Sequence, residues 1–292
     1  MWQEHILETA DGKLLWCENG TGPAVVFLHG GPGDEYRSLR PLAELLLPHY
    51  HCILYDQRGS GGSTLDRVDD TTLQPDRFVA DLEQLRLELD VERLNLVGHS
   101  WGAMLALLYG ATHTARVARQ ALIGLGPLKA EFDVVAKANL LKPLSSEERA
   151  EYARLSEARQ TAIQAGDTAQ VTALNRQRMR LGFRGMFYKQ ELAARFVEEW
   201  LSYDSYRNWR VNRVVNRLLD RPALWARLPE LRAPTLVVYG YQDFEPITQA
   251  YLLQARMPDV QIRFLNACGH VPWLEQPDAI QNALLEFFGA GT

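Results

Sequence analysis

Gly98-His99-Ser100-Trp101-Gly102 sets one hydroxyl between two glycines, after the apolar run Leu94–Val97 and before a helix-like stretch, Ala103–Tyr109. A serine at such a strand-to-helix turn has two readings. It is a favoured helix N-cap, because its oxygen accepts bonds from the free backbone N–H groups of the first turn. It is also a nucleophile wherever a base stands within reach. The Gly-x-Ser-x-Gly pattern alone does not decide, since glycine and serine are common enough to produce it by chance in roughly one chain in ten of this length.

Matching chemistry follows other strand-like runs. Ala24–Leu28 ends in His29-Gly30-Gly31-Pro32-Gly33, Thr235–Tyr239 in Gly240-Tyr241-Gln242-Asp243, and Val260–Leu265 in Asn266-Ala267-Cys268-Gly269-His270. Ligands of an open α/β sheet bind at the carboxyl ends of its strands. A serine, an acid and a histidine are therefore expected on one edge, in the order Ser100, Asp243, His270, which is the chain order of the α/β-hydrolase triad. Ser100 would attack an acyl carbon. His270 would take its proton and return it to the leaving group, and Asp243 would fix the histidine tautomer and stabilise the imidazolium. The oxyanion would sit between the backbone N–H of Trp101 and that of Gly31, because glycine lets a substrate approach the backbone and Pro32 has no N–H.

Competing residues have plainer readings. Glu245 is the rival acid, but Asp243 stands nearer the strand end. His29 and His99 adjoin glycine turns and read as structural. Cys268 is off the turn and reads as a packed thiol. Asp56-Gln57-Arg58-Gly59-Ser60-Gly61-Gly62-Ser63 lacks the Lys-Ser/Thr of a P-loop and reads as a structured turn beneath the site.

The elements that must position these groups alternate. His5–Thr9 and Leu14–Glu18 read as strands around Asp11-Gly12. Ala24–Leu28 is continuously apolar, as a strand buried on both faces should be. Leu39–Leu47 reads as a helix and Cys52–Tyr55 as a strand. Phe78–Leu89 carries apolar residues at helical spacing, and Gln120–Ile123 reads as a further strand. Such alternation implies a mostly parallel central sheet flanked by helices. It breaks at Pro127. Up to about Ala226 only helices are expected: one begun by a capping box at Ser145 and Glu148, then Ala169–Leu181, Glu191–Trp200 and Tyr206–Leu219. The α/β pattern resumes with Thr235–Tyr239, a helix at Thr248–Arg256, Val260–Leu265 and a helix at Ala279–Phe288. Residues 1–126 and 227–292 thus form one α/β core and 127–226 a helical insertion, with Gly124–Pro127 and Pro222 as hinges. The insertion's Phe183, Phe187, Phe196, Trp200, Tyr203, Tyr206 and Trp209 read mainly as its own core, with some lining a pocket. Arg176, Arg180 and Arg184, at helical spacing, read as a solvated face.

Bulk properties exclude several classes. The chain has 292 residues, 47% hydrophobic and 23% charged, with a formal net charge of -5. A negative balance argues against nucleic acid as main partner. No apolar run approaches the roughly 20 residues of a membrane helix. The first residues lack the basic start and apolar stretch of a signal peptide. Cys17, Cys52 and Cys268 are scattered and odd in number, which suggests reduced thiols and a cytoplasmic protein. No Cys/His cluster has zinc-like spacing, so neither metal nor cofactor is expected.

His29–Gly33 (HGGPG), Asp56–Ser63 (DQRGSGGS) and Gly98–Gly102 (GHSWG) resemble the proline iminopeptidase family of α/β-hydrolases. The likeness is tightest over about residues 24–110 and returns at Asp243 and His270. It implies an α/β-hydrolase fold with a helical cap, corresponding to the insertion, and removal of an N-terminal residue, often proline, through an acyl-enzyme on Ser100. It departs at His99, where the family usually has glycine. Members hold the substrate's ammonium with cap carboxylates, sometimes with an acid next to the triad aspartate. Here Phe244 follows Asp243 and the acid comes one later, at Glu245, while the cap offers Glu198, Glu199 and Asp204. A desolvated ammonium needs such a partner. The leading expectation is therefore a serine hydrolase acting on small peptides or amides. A carboxylesterase or carbon–carbon bond hydrolase is the alternative, and a non-enzymatic small-molecule receptor on the same fold is a third class.

Overall fold

Strands that are apolar along their whole length need cover on both faces, and helices between parallel strands supply it. The computed structural model describes residues 1–202 and 208–289. In it β1 (Gln3–Thr9) and β2 (Gly12–Asn19) form an antiparallel hairpin. β3 (Ala24–Leu28), α1 (Arg40–Leu46), β4 (His51–Tyr55), β5 (Thr64–Leu65), α2 (Pro75–Glu88), β6 (Leu94–His99), α3 (Trp101–Thr112) and β7 (Val117–Ile123) follow. Next come α4 (Ala130–Leu140), α5 (Ser146–Gln164), α6 (Thr168–Gly182), α7 (Gln190–Ser202), α8 (Trp209–Leu218) and α9 (Arg221–Arg227), with no strand among the described residues of this stretch. The chain then re-enters the sheet with β8 (Thr235–Gly240), α10 (Thr248–Arg256), β9 (Val260–Leu265), α11 (Pro272–Glu275) and α12 (Pro277–Phe288).

The sheet runs β1-β2-β4-β3-β6-β7-β8-β9, with β5 paired to β2. From β4 to β9 every pairing is parallel. This is the α/β-hydrolase fold. Successive residues of a strand face opposite sides, so the apolar runs feed two cores. Val26, Leu28, Leu96, Leu122 and Val237 pack on one side with α2, α3 and α10 residues such as Phe78, Leu105 and Leu253. Val25, Phe27, Val97, Ile123 and Val238 pack on the other with Leu42 of α1 and Leu284 of α12.

Two helices of the insertion escape the sequence pattern. α4 buries only Ala136, so it has no apolar stripe to announce it. α9 begins at Arg221, with Asp220 accepting the Ala223 N–H at 2.9 Å. Pro222, expected to be a hinge, is instead a first-turn proline, where a missing N–H costs nothing.

The DQRGSGGS segment is a turn, as expected, and a heavily bonded one. Asp56 accepts the backbone N–H groups of Tyr36 and Gly62, each at 2.7 Å. Burial pushes its carboxyl up to about 7, against the pull of those donors. Arg58 is buried and forks onto Asp81 at 2.7 and 2.6 Å, with Asp11 and the Thr72 carbonyl completing its donors. Removing one partner of a buried ion pair strands the other. Asp81→Asn is expected to lower the free energy of unfolding by about 3 kcal/mol, read by urea denaturation. A loss below about 1 kcal/mol, the range of exposed pairs, would show that the fork does not hold this turn.

Candidate active site

Ser100 sits between β6 and α3 with φ 54° and ψ -115°, a conformation a side chain rarely adopts. The backbone around it leaves little choice. A Cβ on Gly98 would lie 2.4 Å from the Gly102 carbonyl oxygen, and one on Gly102 would lie 1.9 Å from that of Leu28. Ser100 donates its own N–H to Ile123 at 2.9 Å and accepts that of Ala103 at 3.1 Å. It occupies the N-cap position of α3, yet its side chain makes no capping bond. The hydroxyl faces a cavity of about 710 Å³ that His270, Gly31, Trp101 and Glu245 also line.

The loops after β8 and β9 meet at His270. Its Nδ1 lies 2.8 and 3.0 Å from the two Asp243 oxygens, with both side chains almost wholly buried. A carboxylate at Nδ1 calls for a proton there, which leaves Nε2 with the lone pair. Asp243 Oδ1 also accepts the Glu245 N–H at 2.9 Å. Phe244 packs 4.5 Å from the His270 ring, and the His270 N–H donates to the Met186 carbonyl at 2.7 Å. Sequence reasoning missed two contributors here. Phe244 covers the imidazole, and Gly124 makes room for it: a Cβ at 124 would lie 2.7 Å from His270 Nδ1.

The other two histidines of the turns are structural in their contacts. His99 Nε2 donates to the His270 carbonyl at 2.9 Å, and its ring meets the Trp273 edge at 4.8 Å. Burial and the neighbouring imidazole hold its pKa well below the usual histidine range. Burial likewise lowers His29 to about 4. His29 Nε2 accepts the Gln57 N–H at 3.0 Å, its Nδ1 donates to the Gly30 carbonyl, and Gln57 returns a side-chain bond to the His29 carbonyl at 2.8 Å. The Gln57 amide oxygen then accepts the Trp101 indole N–H at 2.7 Å. The three glycine turns are thereby locked together. As the first residue of α3, Trp101 has no intrahelical acceptor for its backbone N–H.

Of the candidate amine-binding carboxylates, Glu245 alone among the described residues lies on the cavity wall. It is buried, and its Oε2 has no hydrogen-bond partner. Burial pushes its pKa well above the carboxylate range; Asp243 and Asp133 push the same way and Arg221 opposes them. Glu198 is turned to solvent, where it accepts from Arg180 at 2.7 Å. Glu199, next on the same helix face, is exposed and outside the cavity wall. Both expectations fail because α7 buries Val197 and Trp200 and so turns the residues between them outward. Asp204, Tyr203 and Tyr206 lie outside the described residues. Phe183, Phe196, Trp200 and Trp209 line the cavity, whereas Phe187 is buried with its ring 5.3 Å from that of Phe196. The Cys268 thiol is fully buried and raised by that burial, as a packed thiol should be. No described helix is long and apolar enough to cross a membrane.

Comparison with known proteins fits this geometry. The family described as alpha/beta hydrolase fold matches residues 23–277. The proline iminopeptidase of Heyndrickxia coagulans is 41% identical over 121 residues, which are 40% of this chain and 41% of that one. That of Xanthomonas citri is 42% identical over 39% of this chain and 37% of its own. The chain therefore spans about two fifths of the length of these curated relatives. A probable proline iminopeptidase of Leptolyngbya boryana is 29% identical over 86% of this chain and 82% of its own. Among solved structures, the proline iminopeptidase of Mycobacterium smegmatis superposes with a TM-score of 0.72 at 19% identity, covering 99% of this chain and 98% of the other. A meta-cleavage product hydrolase from Pseudomonas fluorescens IP01 gives 0.71 at 20% identity, with 96% of each chain covered. At these identities the superpositions speak for the fold alone.

The contact between Gly102 and Leu28 generates a test. Gly102→Ala is expected to cost about 3 kcal/mol or more, because neither backbone can retreat. Thermal denaturation would show it. An unchanged melting temperature would mean that α3 and β3 do not touch at this point.

Proposed function

The chain belongs to the α/β-hydrolase fold family of hydrolases, and on that premise we propose that it is a serine hydrolase releasing an N-terminal residue from short peptides. The observation that carries the reading is Ser100 itself: an uncapped hydroxyl on a strained turn, sharing a cavity with an imidazole that Asp243 holds through Nδ1. Ser100 Oγ attacks the carbonyl carbon while its proton passes to His270 Nε2. The oxyanion of the tetrahedral adduct is held by the Trp101 and Gly31 N–H groups. Collapse breaks the amide bond, and the His270 proton leaves with the amine. Water then attacks the acyl-enzyme, giving one proton to His270, which returns it to Ser100 as the ester breaks. Residues 127–226 act as the cap over this centre, and 1–126 with 227–292 as the core.

Glu245 supports a peptide over an ester. Its buried oxygen has no partner and lies on the wall shared with Ser100, where a substrate ammonium would supply the missing charge and donors. The similarity to proline iminopeptidases points the same way.

The deciding assay compares proline and other aminoacyl arylamides with their N-acetylated forms and with short acyl esters. Free-amine arylamides should turn over, and acetylation should lower kcat/KM by about thirtyfold or more, the usual cost of stranding a buried charge. Equal rates on free and acetylated substrates would remove the amine pocket, and ester turnover alone would make the protein a carboxylesterase or carbon–carbon bond hydrolase. Glu245→Gln should raise KM for the free amine more than it lowers kcat. Ser100→Ala and His270→Ala should each abolish nearly all turnover. Full activity in either would defeat the assignment. Failure of an organophosphonate to label Ser100 in the folded protein would favour a receptor without catalysis.

A further inference from the structure

We propose that Arg178 forms a subsite for a carboxylate at the far end of the substrate, so that the cavity selects short peptides with a free C-terminus. The direction of the bound peptide rests on the aminopeptidase reading above. The arginines expected on a solvated helix face, Arg176, Arg180 and Arg184, have other duties. Arg180 pairs with Glu198, Arg184 with Glu148, and Arg176 donates to the Leu201 carbonyl at 2.9 Å. Arg178 stands two residues beyond Arg176, about 200° round the helix, and lines the cavity.

There Arg178 is held by neutral groups. Its Nε donates to Ser156 Oγ at 2.9 Å, one Nη2 hydrogen goes to Tyr152 Oη at 2.8 Å, and its guanidinium carbon lies 4.7 Å from the Tyr152 ring centroid. The Ser156 hydroxyl hydrogen is spent on the Tyr152 carbonyl, at 2.6 Å, so its lone pairs face the arginine. Among the described residues no carboxylate lies within ion-pair distance of Arg178. These contacts leave Nη1 uncommitted, so a planar fork is fixed in orientation with its charge uncompensated on a cavity wall. A guanidinium so placed suits a carboxylate, which can accept two parallel bonds. Arg159, donating to Asn175 Oδ1 at 2.6 Å, lines the same cavity.

The cavity is thus polarised. Glu245, next to the triad acid, offers a partner for an ammonium; Arg178, on the insertion, offers one for a carboxylate. Arg178 is eight residues from Met186, whose carbonyl receives the His270 N–H. Four of those steps are α-helical, at about 1.5 Å each, and four lie in the 3-10 turn Phe183–Met186, at about 2.0 Å each, an axial separation of about 14 Å. A short peptide held at both ends would lie along the cavity wall with its first amide near Ser100.

The test uses the full chain carrying Ser100→Ala, so that peptides bind without turnover. Calorimetric titration at low salt compares Pro-Gly-Gly as the free acid and as the C-terminal amide. The acid is expected to bind about tenfold more tightly, as a charge-assisted pair in a partly buried site should. Arg178→Met should bring the ratio to within about twofold, Arg178→Lys should keep part of it, and Arg180→Met should keep all of it. Far-UV circular dichroism checks that each variant is folded. Equal affinities in the protein bearing Arg178, a preference that survives Arg178→Met in a folded protein, or no binding of either peptide would each overturn the proposal. Arylamides carry no carboxylate, so their turnover reports on the aminopeptidase reading independently.

Discussion

The backbones of β3 and α3 touch where Gly102 meets the Leu28 carbonyl, leaving no room for even a methyl group. Everything at the candidate site follows from that approach. It makes the turn into α3 tight, and it drives Ser100 to a φ of 54°. Such strain persists only where surrounding structure over-determines it. Here the Ser100 N–H is tied to the end of β7 and its carbonyl to the start of α3. With both backbone groups committed, the side chain projects into the cavity instead of folding back as a cap. The same approach brings Trp101 against Gln57 and, through it, His29. Three glycine turns remote in sequence become one rigid unit.

The insertion is fastened to that unit at several points. The Asn208 N–H donates to Gly33, its side-chain amide to Gly59, and Asn212 to the carbonyls of Gly31 and Pro32. Trp200 reaches Asp34, and Asn139 reaches Phe244. All but the Trp200 bond, which goes to the Asp34 carboxylate, use backbone carbonyls of the site loops, so the same contacts that roof the cavity also hold its floor in shape. Charges on a partly buried wall interact more strongly than they would in bulk solvent. That is why a carboxylate oxygen on Glu245 and a guanidinium on Arg178 with no counter-ion among the described residues carry more information than exposed ion pairs such as Arg154–Glu151 and Arg180–Glu198.

Much of this was legible in the sequence, for identifiable reasons. Ala24–Leu28, covered on both faces, reads as an unbroken apolar run and matches its element end to end, and the alternating edge strand Val260–Leu265 does so too. The order of Ser100, Asp243 and His270 needed only the rule that active groups follow strands. What stayed hidden depended on the direction of a face. The helical spacing of Arg176, Arg180 and Arg184 drew attention to one side of this helical run, while Arg178, which lines the cavity, sits on the other. Glu198 and Glu199 have the right chemistry and point the wrong way. α4 has almost no buried face, and Pro222 looks the same in a hinge as in a first helical turn.

His99, where the related family usually has glycine, shows how two imidazoles can share a site without sharing a role. The rings of His99 and His270 lie 4.5 Å apart, so both cannot be charged at once without strong repulsion. Their partners set them apart. His99 gives its Nε2 hydrogen to a carbonyl and is otherwise wrapped in Trp273, an environment that favours the neutral ring. His270 instead presents Nδ1 to the buried Asp243 carboxylate. In the proposed reaction the proton taken from Ser100 would rest on His270 until the leaving group collects it, and His99 would act on that step from behind, by holding the His270 backbone carbonyl.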